Sequence, residues 1–585
     1  MDFEQIFTLA VVIFLVYALY KELFNPALTF FISAVALLLG GVISPSELLR
    51  GLSNQQIIII FLLIIVTSGI RSIFGPGLFA WIFSEKMTAR RFMLRMMIFV
   101  SSISAFFNNT PVVAFMIPYV QDWAKRTGNP ASKFLIPLSF ATILGGMITV
   151  IGTSTSLLLN GLIQDYELTM LTFEDFFFLG LIVTVTGIVY LYFIGFKILP
   201  AHVGNLESIT ENLKEYIVET EVSAGSKIIG KSVKDAGLRN LSDLFLVEIV
   251  RGDEIISPVS PDEVLENGDL LFFSGNTDSI YHLIKSDNGI GLRKHPLTGG
   301  QFNFVEAVVP ANSDLIGLKI KRSDFRKNYG ASIVALHRDG KRVAGKIGET
   351  ELSGGDFLLL VTGDNQSGLV SSRSLFFLSI PKILNEAKPK WLNYLGGIAF
   401  CLLILGILHV IPLFYSCIII ISLFVFLSVI KLANVKSELD LGLFMILVCS
   451  LALGVALEKS GAANLVAGWL ILSGKSLGIV AALTALFVFT ILLTSLITNA
   501  AAVSIAFPVA MSMAEQLHIS TTPFFVAIAF AASGSFMTPI GYQTSLMVYG
   551  PGSYSFKDFV RVGTPLVLIY TAACLLFITY FYQLV

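Results

Sequence analysis

Two short polar runs interrupt apolar stretches of the chain, and their residue types suit the capture of small ions. The first is FFNNTPVVAFMIP, with Asn108, Asn109, Thr110 and Pro111 at its centre. The second is LLTSLITNAAAVSIAFP, with Thr498, Asn499 and Ser504. Amides and hydroxyls offer neutral oxygens to a monovalent cation and N–H or O–H donors to an anion. Proline lacks a backbone donor and disfavours helix at the residue before it, so the chain is expected to break within the run Asn108–Pro111. Such a break at membrane depth is tolerated only where it is buried in protein or lines a polar cavity. Two broken segments at matching places in two halves point to the binding site of a secondary transporter.

The elements that position these runs must be membrane helices. Of 585 residues, 55% are hydrophobic and 14% charged, with a mean hydropathy of +0.80. That balance excludes a soluble enzyme, and many runs exceed the ~18 apolar residues of a spanning helix. The formal net charge of -1 gives no argument for nucleic acid or for an acidic partner. Cys401, Cys417, Cys449 and Cys574 lie in apolar segments without metal-like spacing and read as buried free thiols. At the N-terminus, acidic residues precede the apolar run and Lys21 follows it. A signal peptide has the opposite order, so this is expected to be a retained first helix.

Apolar segments run at 5–20, 27–44, 56–72, 93–122 (broken), 134–163 and 174–198. They resume at 393–411, 413–430, 441–457, 477–514 (broken), 522–550 and 562–583. Between them the chain is charged and contains strand-like runs such as LFLVEIV and LLFFS. The expected domains are therefore a membrane unit at 1–203, an insert at 204–388, and a second membrane unit at 389–585. GTSTSLL at 152–158 matches GYQTSLM at 541–547, an offset of 389, and Asn109 and Asn499 are 390 apart. The two membrane units read as an internal repeat. The insert repeats too: SKIIGKSV matches SDLIGLKI, and Asp269 and Asp356 are 87 apart, as are Gly230 and Gly317. Each insert unit, 204–296 and 297–388, reads as a small α+β domain. Neither contains the G-x-G-x-x-G of a dinucleotide-binding fold.

Charge sets the expected orientation. Lys86, Arg90, Arg91 and Arg95 precede the first broken segment, and Lys125, Arg126 and Lys133 follow it. A single kinked span would put these clusters on opposite sides, against the positive-inside rule, whereas a re-entrant hairpin puts both in the cytoplasm. Each arm, about 15 and 12 residues at ~1.5 Å rise, would cross only part of the membrane. Five full crossings per half then invert the second unit, leaving the insert cytoplasmic and both termini outside. Lys459 and Lys475 fall outside on this scheme, against the rule.

With both repeats in view, NNTPVVAFMIP, IGTSTS and TPIGYQTSLMVYGPG resemble the divalent anion:sodium symporter family of the ion-transporter superfamily. The two insert units resemble RCK-C (TrkA-C-type) domains, and the tandem insert is most similar to the sulfate-transporter branch. The resemblance implies a polytopic α-helical membrane protein with an inverted repeat of five spanning helices and one hairpin per half. It implies sodium sites at the hairpin tips beside a shared anion site, and an elevator-type homodimer in the cell membrane. RCK-C domains also imply a cyclic dinucleotide or other nucleotide on the insert, or simple dimerisation; no further cofactor is expected, and sodium is the only metal.

Within this frame the first sodium site is expected at Asn108, Asn109, Thr110 and the turn Gly152, Thr153, Ser154. The second is expected at Thr498, Asn499, Ala500, Thr538 and the turn Pro539, Ile540, Gly541. The anion would lie between them, near Asn109, Thr110, Asn499, Ser156 and Ser545. The family's hairpin signature is Ser-Asn-Thr; the first copy keeps Asn and Thr, while the second, Thr498-Asn499-Ala500, keeps only Asn. Losing the hydroxyl at Ala500 weakens the second sodium site and argues against a dicarboxylate. The competing structural reading is that these polar residues only join packed helices. Neither broken core contains a titratable group, which favours sodium over proton coupling. A dicarboxylate carrier and a cation/proton or arsenite-type exporter are the alternatives within transport. An ion channel lacks support, since no Thr-Val-Gly-Tyr-Gly filter is present. No nucleophile–base or metal-ligand cluster suggests an enzyme.

Overall fold

The computed structural model describes residues 2–584 apart from 22, 75–86, 202–216, 239–243, 253, 257–258, 276–289, 293–302, 311–312, 321–322, 324, 330, 339–340, 344–348, 363–374, 378–390, 409, 431–440, 474–477 and 540. Lys86, Lys475, Ile540 and the expected domain borders at 204, 296 and 388 lie outside the described residues. The first half runs α1 (Phe3–Tyr20), α2 (Pro26–Leu39), α3 (Pro45–Arg50), α4 (Gln55–Phe74) and α5 (Ala89–Ser104). It continues with α6 (Asn109–Thr127), α7 (Ser132–Gly146), α8 (Ser154–Asp165) and α9 (Phe173–Tyr190). The second half runs α10 (Trp391–Ile407), α11 (Leu413–Phe426), α12 (Leu441–Lys459), α13 (Ala462–Ser473) and α14 (Gly478–Leu496). It closes with α15 (Asn499–Leu517), α16 (Thr522–Ser533), α17 (Gln543–Tyr549) and α18 (Phe556–Phe581). Among the described residues, six helices are long and apolar enough to cross a membrane, or seven if a bent pair at 45–70 is one span. The short α13 is absent from the expected segments.

The first break lies at 105–108, at the front of the expected run. The helix stops at Ser104 and restarts at Asn109, so Pro111 sits in the first turn of α6. Its missing N–H costs nothing there, because first-turn N–H groups have no intrahelical acceptor. The Asn108 side chain caps the new helix by accepting from the Thr110 N–H at 3.3 Å. The arms are also longer than expected: 16 and 19 residues in the first pair, 19 and 19 in the second. At ~1.5 Å per residue these reach roughly 24 to 28 Å, close to the ~30 Å apolar core. The extra length is charged helix end, Arg90 and Arg91 in α5 and Lys125 and Arg126 in α6, which an apolar count leaves out.

α6 and α15 correspond closely. Each spans 19 residues, each carries an internal proline (Pro118, Pro508), and each ends at a left-handed residue, Gly128 at φ 66° and His518 at φ 56°. Start, proline and cap all match at an offset of 390. Both arms of each pair pack on the helix that follows, α7 or α16. The single apolar segments expected at 134–163 and 522–550 are each divided by chain outside α-helix, at 147–153 (with a 3-10 turn at Val150–Gly152) and at 534–539 and 541–542. Those unwound stretches carry Gly152, Thr153, Thr538 and Gly541.

Among the described residues the insert holds two five-stranded antiparallel sheets. The first comprises β1 (Ile217–Val222), β2 (Leu244–Arg251), β3 (Glu254–Ile256), β4 (Leu270–Gly275) and β5 (Ile290–Leu292), in the order β3-β2-β4-β1-β5. The second comprises β6 (Asn303–Val308), β7 (Ala331–Arg338), β8 (Lys341–Arg342), β9 (Phe357–Thr362) and β10 (Phe376–Phe377), in the same topology, β10-β6-β9-β7-β8. Each sheet is pinned by a buried carboxylate. Asp269 accepts from Arg251 Nε at 2.9 Å and from the Glu266 N–H at 2.8 Å. Asp356 accepts from Arg338 Nε at 2.7 Å and from the Ser353 N–H at 2.8 Å.

The second sheet docks on the membrane helices. Strand alternation turns Val305 and Ala307 into the insert's own core, while Val308 and Phe357 join the apolar cluster of the membrane helices. At the turn before β9, Gly355 (φ 84°) lies so close to α17 that a Cβ would come 2.7 Å from Leu546. A Cβ on Gly550, just past α17, would come 2.8 Å from Phe357. Glu306 on β6 feels the charge of Lys125 at the end of α6, and burial pushes its carboxyl up to about 7. Thus α6 and α17 both end against the insert. By contrast, Arg50 bonds Asp165 at the end of α8 at 3.2 Å, and Lys459 at the end of α12 bonds Glu47 at 2.6 Å. Lys459, out of place by the charge rule, is therefore an ion-pair partner.

Candidate functional site

The tip of the first arm pair is assembled by close approach. Asn109 is buried, and the Ser104 hydroxyl donates to its Oδ1. A Cβ on Gly146 would come 2.6 Å from Asn109 Oδ1, so glycine at the end of α7 is what admits the amide. Gly152 likewise lies against the backbone of Gly146, leaving no room for a side chain. Thr149 donates to the Ala105 carbonyl and ties the unwound chain to the break. Thr153 caps α8 by accepting from the Ser156 N–H at 3.3 Å.

The second tip repeats this arrangement. Thr494 takes the place of Ser104 and sits 2.7 Å from the Asn499 amide. In the orientation that satisfies both amide atoms, Asn499 donates to the Gly541 carbonyl at 3.0 Å and the Ala532 carbonyl at 3.3 Å. Thr538 donates to the Ser495 carbonyl at 3.1 Å, as Thr149 does to Ala105. Thr498 caps α15 by accepting from the Ala501 N–H at 3.4 Å.

The tips meet across the two halves. Asn109 Nδ2 donates to the Tyr542 hydroxyl at 2.6 Å, and Thr110 Oγ1 donates to Gln543 Oε1 at 3.1 Å. Asn109 and Asn499 therefore bond consecutive residues of one unwound stretch, Gly541 and Tyr542. Ser154 and Asn108 line a small cavity of about 20 Å³ with Ile60, Leu63 and Thr67 of α4. The amino ends of α6, α8 and α15 thus gather around the unwound chain, and helix amino ends favour anions. The side chains at the tips are neutral.

The expected residues divide into two groups. Asn108, Asn109, Thr110, Ser154, Asn499, Thr538 and Gly541 come together at the tips, with Thr498 and Ala500 in the first turn of α15. Ser156 and Ser545 are buried instead, Ser156 against Thr153 at 2.8 Å and Ser545 against Ser139 of α7 at 3.1 Å. Pro539 is buried beside Thr538. Tyr542, Gln543, Ser104, Thr494 and Thr67 are site residues missing from the expectation. Ser104 and Thr494 were within reach, each standing five positions before its asparagine; Tyr542 and Gln543 lie in the matched GYQTSLM run.

Apolar helices, two broken pairs and a neutral, donor-rich junction define a multi-pass membrane transporter. The sequence matches the citrate transporter (CitMHS) family over residues 11–416 and 400–584. The chain belongs to that family. It is 32% identical to a transporter of Synechocystis over 99% of this chain and 98% of the relative. It is also 32% identical to a Chlamydomonas reinhardtii protein described as a sulfur deprivation response regulator, over 94% of this chain and 97% of the relative. Sodium/sulfate cotransporter 2 of the same alga is 30% identical over 55% of this chain and 39% of its own length.

Proposed function

We propose that the protein is a sodium-coupled importer of a divalent oxyanion, with sulfate as substrate. The observation that carries this reading is the convergence of Asn109 and Asn499 on Gly541–Tyr542, among helix amino ends and neutral oxygens. Carbonyls freed by the unwound stretches suit sodium, and amide, hydroxyl and helix-end donors suit an anion of fixed charge with four accepting oxygens. The names of the algal cotransporters agree with sulfate and sodium. The family's description as citrate transporters favours a carboxylate as the second reading.

Alternating access in this proposal is an elevator-type movement of an inverted repeat within a homodimer. Supporting the inversion, α17 ends against the insert whereas its counterpart α8 ends at the Arg50 ion pair. The insert regulates by docking on α6 and α17, the two helices whose opposite ends carry Asn109 and Gln543. On the charge pattern the insert is cytoplasmic and both termini are outside, and a nucleotide or cyclic dinucleotide is its effector.

Radiolabelled sulfate uptake into proteoliposomes, with and without an inward sodium gradient, tests the proposal. Sodium-dependent uptake that thiosulfate blocks and citrate and succinate do not is the expected result. Uptake of citrate or succinate in place of sulfate would overturn the substrate, and uptake indifferent to sodium would overturn the coupling.

A further inference from the structure

The second tip lacks a hydroxyl at Ala500, where the first has Thr110. A different hydroxyl stands close by. Ser535, just past α16, is fully buried, and its Oγ has no hydrogen-bond partner among the described residues. It faces Gly541, where an added Cβ would collide with Ser535 Oγ and come 2.7 Å from the Thr494 carbonyl. Gly541 is the residue whose carbonyl accepts from Asn499. In the first half the equivalent position is Gly146, which has no hydroxyl to offer.

We propose that Ser535 Oγ is an oxygen ligand of the second sodium site, replacing the hydroxyl missing at Ala500. An unsatisfied buried hydroxyl is costly, and alanine at 535 would remove the cost, so the serine calls for a partner that the described residues do not supply. Beside it lie Gly541 and the Thr494 carbonyl, while the Gly541 carbonyl and Thr494 Oγ1 reach the neighbouring Asn499 amide; all are uncharged oxygens. Neutral oxygens fit sodium, whereas a divalent ion calls for carboxylates. The hydroxyl has moved from the hairpin tip to the facing unwound chain. The site is thereby complete with a different ligand set, which makes Ala500 a displacement rather than a loss.

This inference rests on the sodium-coupled reading, and the test separates the two. Sodium activation of sulfate uptake is measured for the wild-type protein, Ser535→Ala, and Ser535→Gly, which copies Gly146. Sodium-induced thermal stabilisation of each detergent-purified protein, against choline, gives a readout independent of transport. The expected result is a rise of about ten-fold in the sodium midpoint by both measurements, the loss of one charge-assisted contact. The sulfate KM at saturating sodium should be unchanged, and Ser535→Ala should melt higher than wild type in choline, where the buried hydroxyl has no cation to satisfy it. A wild-type midpoint retained in both variants overturns the Ser535 assignment alone. Wild-type protein indifferent to sodium overturns the coupling and this assignment with it.

Discussion

Glu306 makes docking of the insert pH-dependent. Its carboxyl, ordinarily at 4.5, is pushed up to about 7 by burial at the docked face, against the opposing pull of Lys125. When the insert releases, Glu306 returns to water and to its ordinary value. The docked state therefore holds an extra proton between these two values. Docking is strongest at low pH and weakens as pH rises, with the penalty complete above about 7. The full shift corresponds to about 3–4 kcal/mol at most. Between pH 6 and 8, linkage leaves about 1–2 kcal/mol, roughly a ten-fold change in the released fraction. Hydrogen exchange at 120–127 and 546–552, the surfaces that the insert covers, reports that fraction. Glu306→Gln should dock as tightly at pH 8 as at pH 6, while the wild-type protein opens; comparison at equal pH cancels intrinsic exchange rates. Lys125→Met should move the transition upward. His337 pairs with Phe357 in the same sheet, and His337→Gln should leave the response intact. A pH response of wild-type size in Glu306→Gln would refute the reasoning.

Gly146→Ala should force the Asn109 amide out of place, since its Cβ would come 2.6 Å from Oδ1. Overpacking of this kind costs about 1–3 kcal/mol, and uptake should fall to background while the protein still reaches the membrane. Tyr542→Phe removes the acceptor of Asn109 Nδ2 and strands a buried amide N–H, worth about 1–3 kcal/mol. Uptake should drop several-fold with the sodium midpoint altered, and an unchanged midpoint would make the cross-half contact incidental. Arg338→Met leaves the buried Asp356 carboxylate uncompensated, which costs about 3–5 kcal/mol. Proteolysis should then open the second sheet while the membrane helices stay folded.

Much of the architecture was legible because apolar length and repeated spacing are local properties. The polar break at Asn108–Thr110 stands out against apolar flanks, and the 390-residue offset survives in α6 and α15 down to the proline and the left-handed cap. The 87-residue period likewise survives as two Arg–Asp pairs. Arm length was undercounted because charged helix ends look like loop to an apolar count.

The sequence by itself determined the class of protein, the broken segments, both internal repeats and the neutral chemistry of the tips, since all follow from residue type and period. Only the tertiary structure decided the partners. That Asn109 finds Tyr542, 433 positions away, depends on how the two halves pack. That Ser545 turns to Ser139 instead of the tips depends on the rotation of α17 against α7. That Gly355 seats on Leu546 depends on where the insert comes to rest. Hydrogen bonds and close contacts act over a few ångströms, and only the folded chain decides which distant residues come that near.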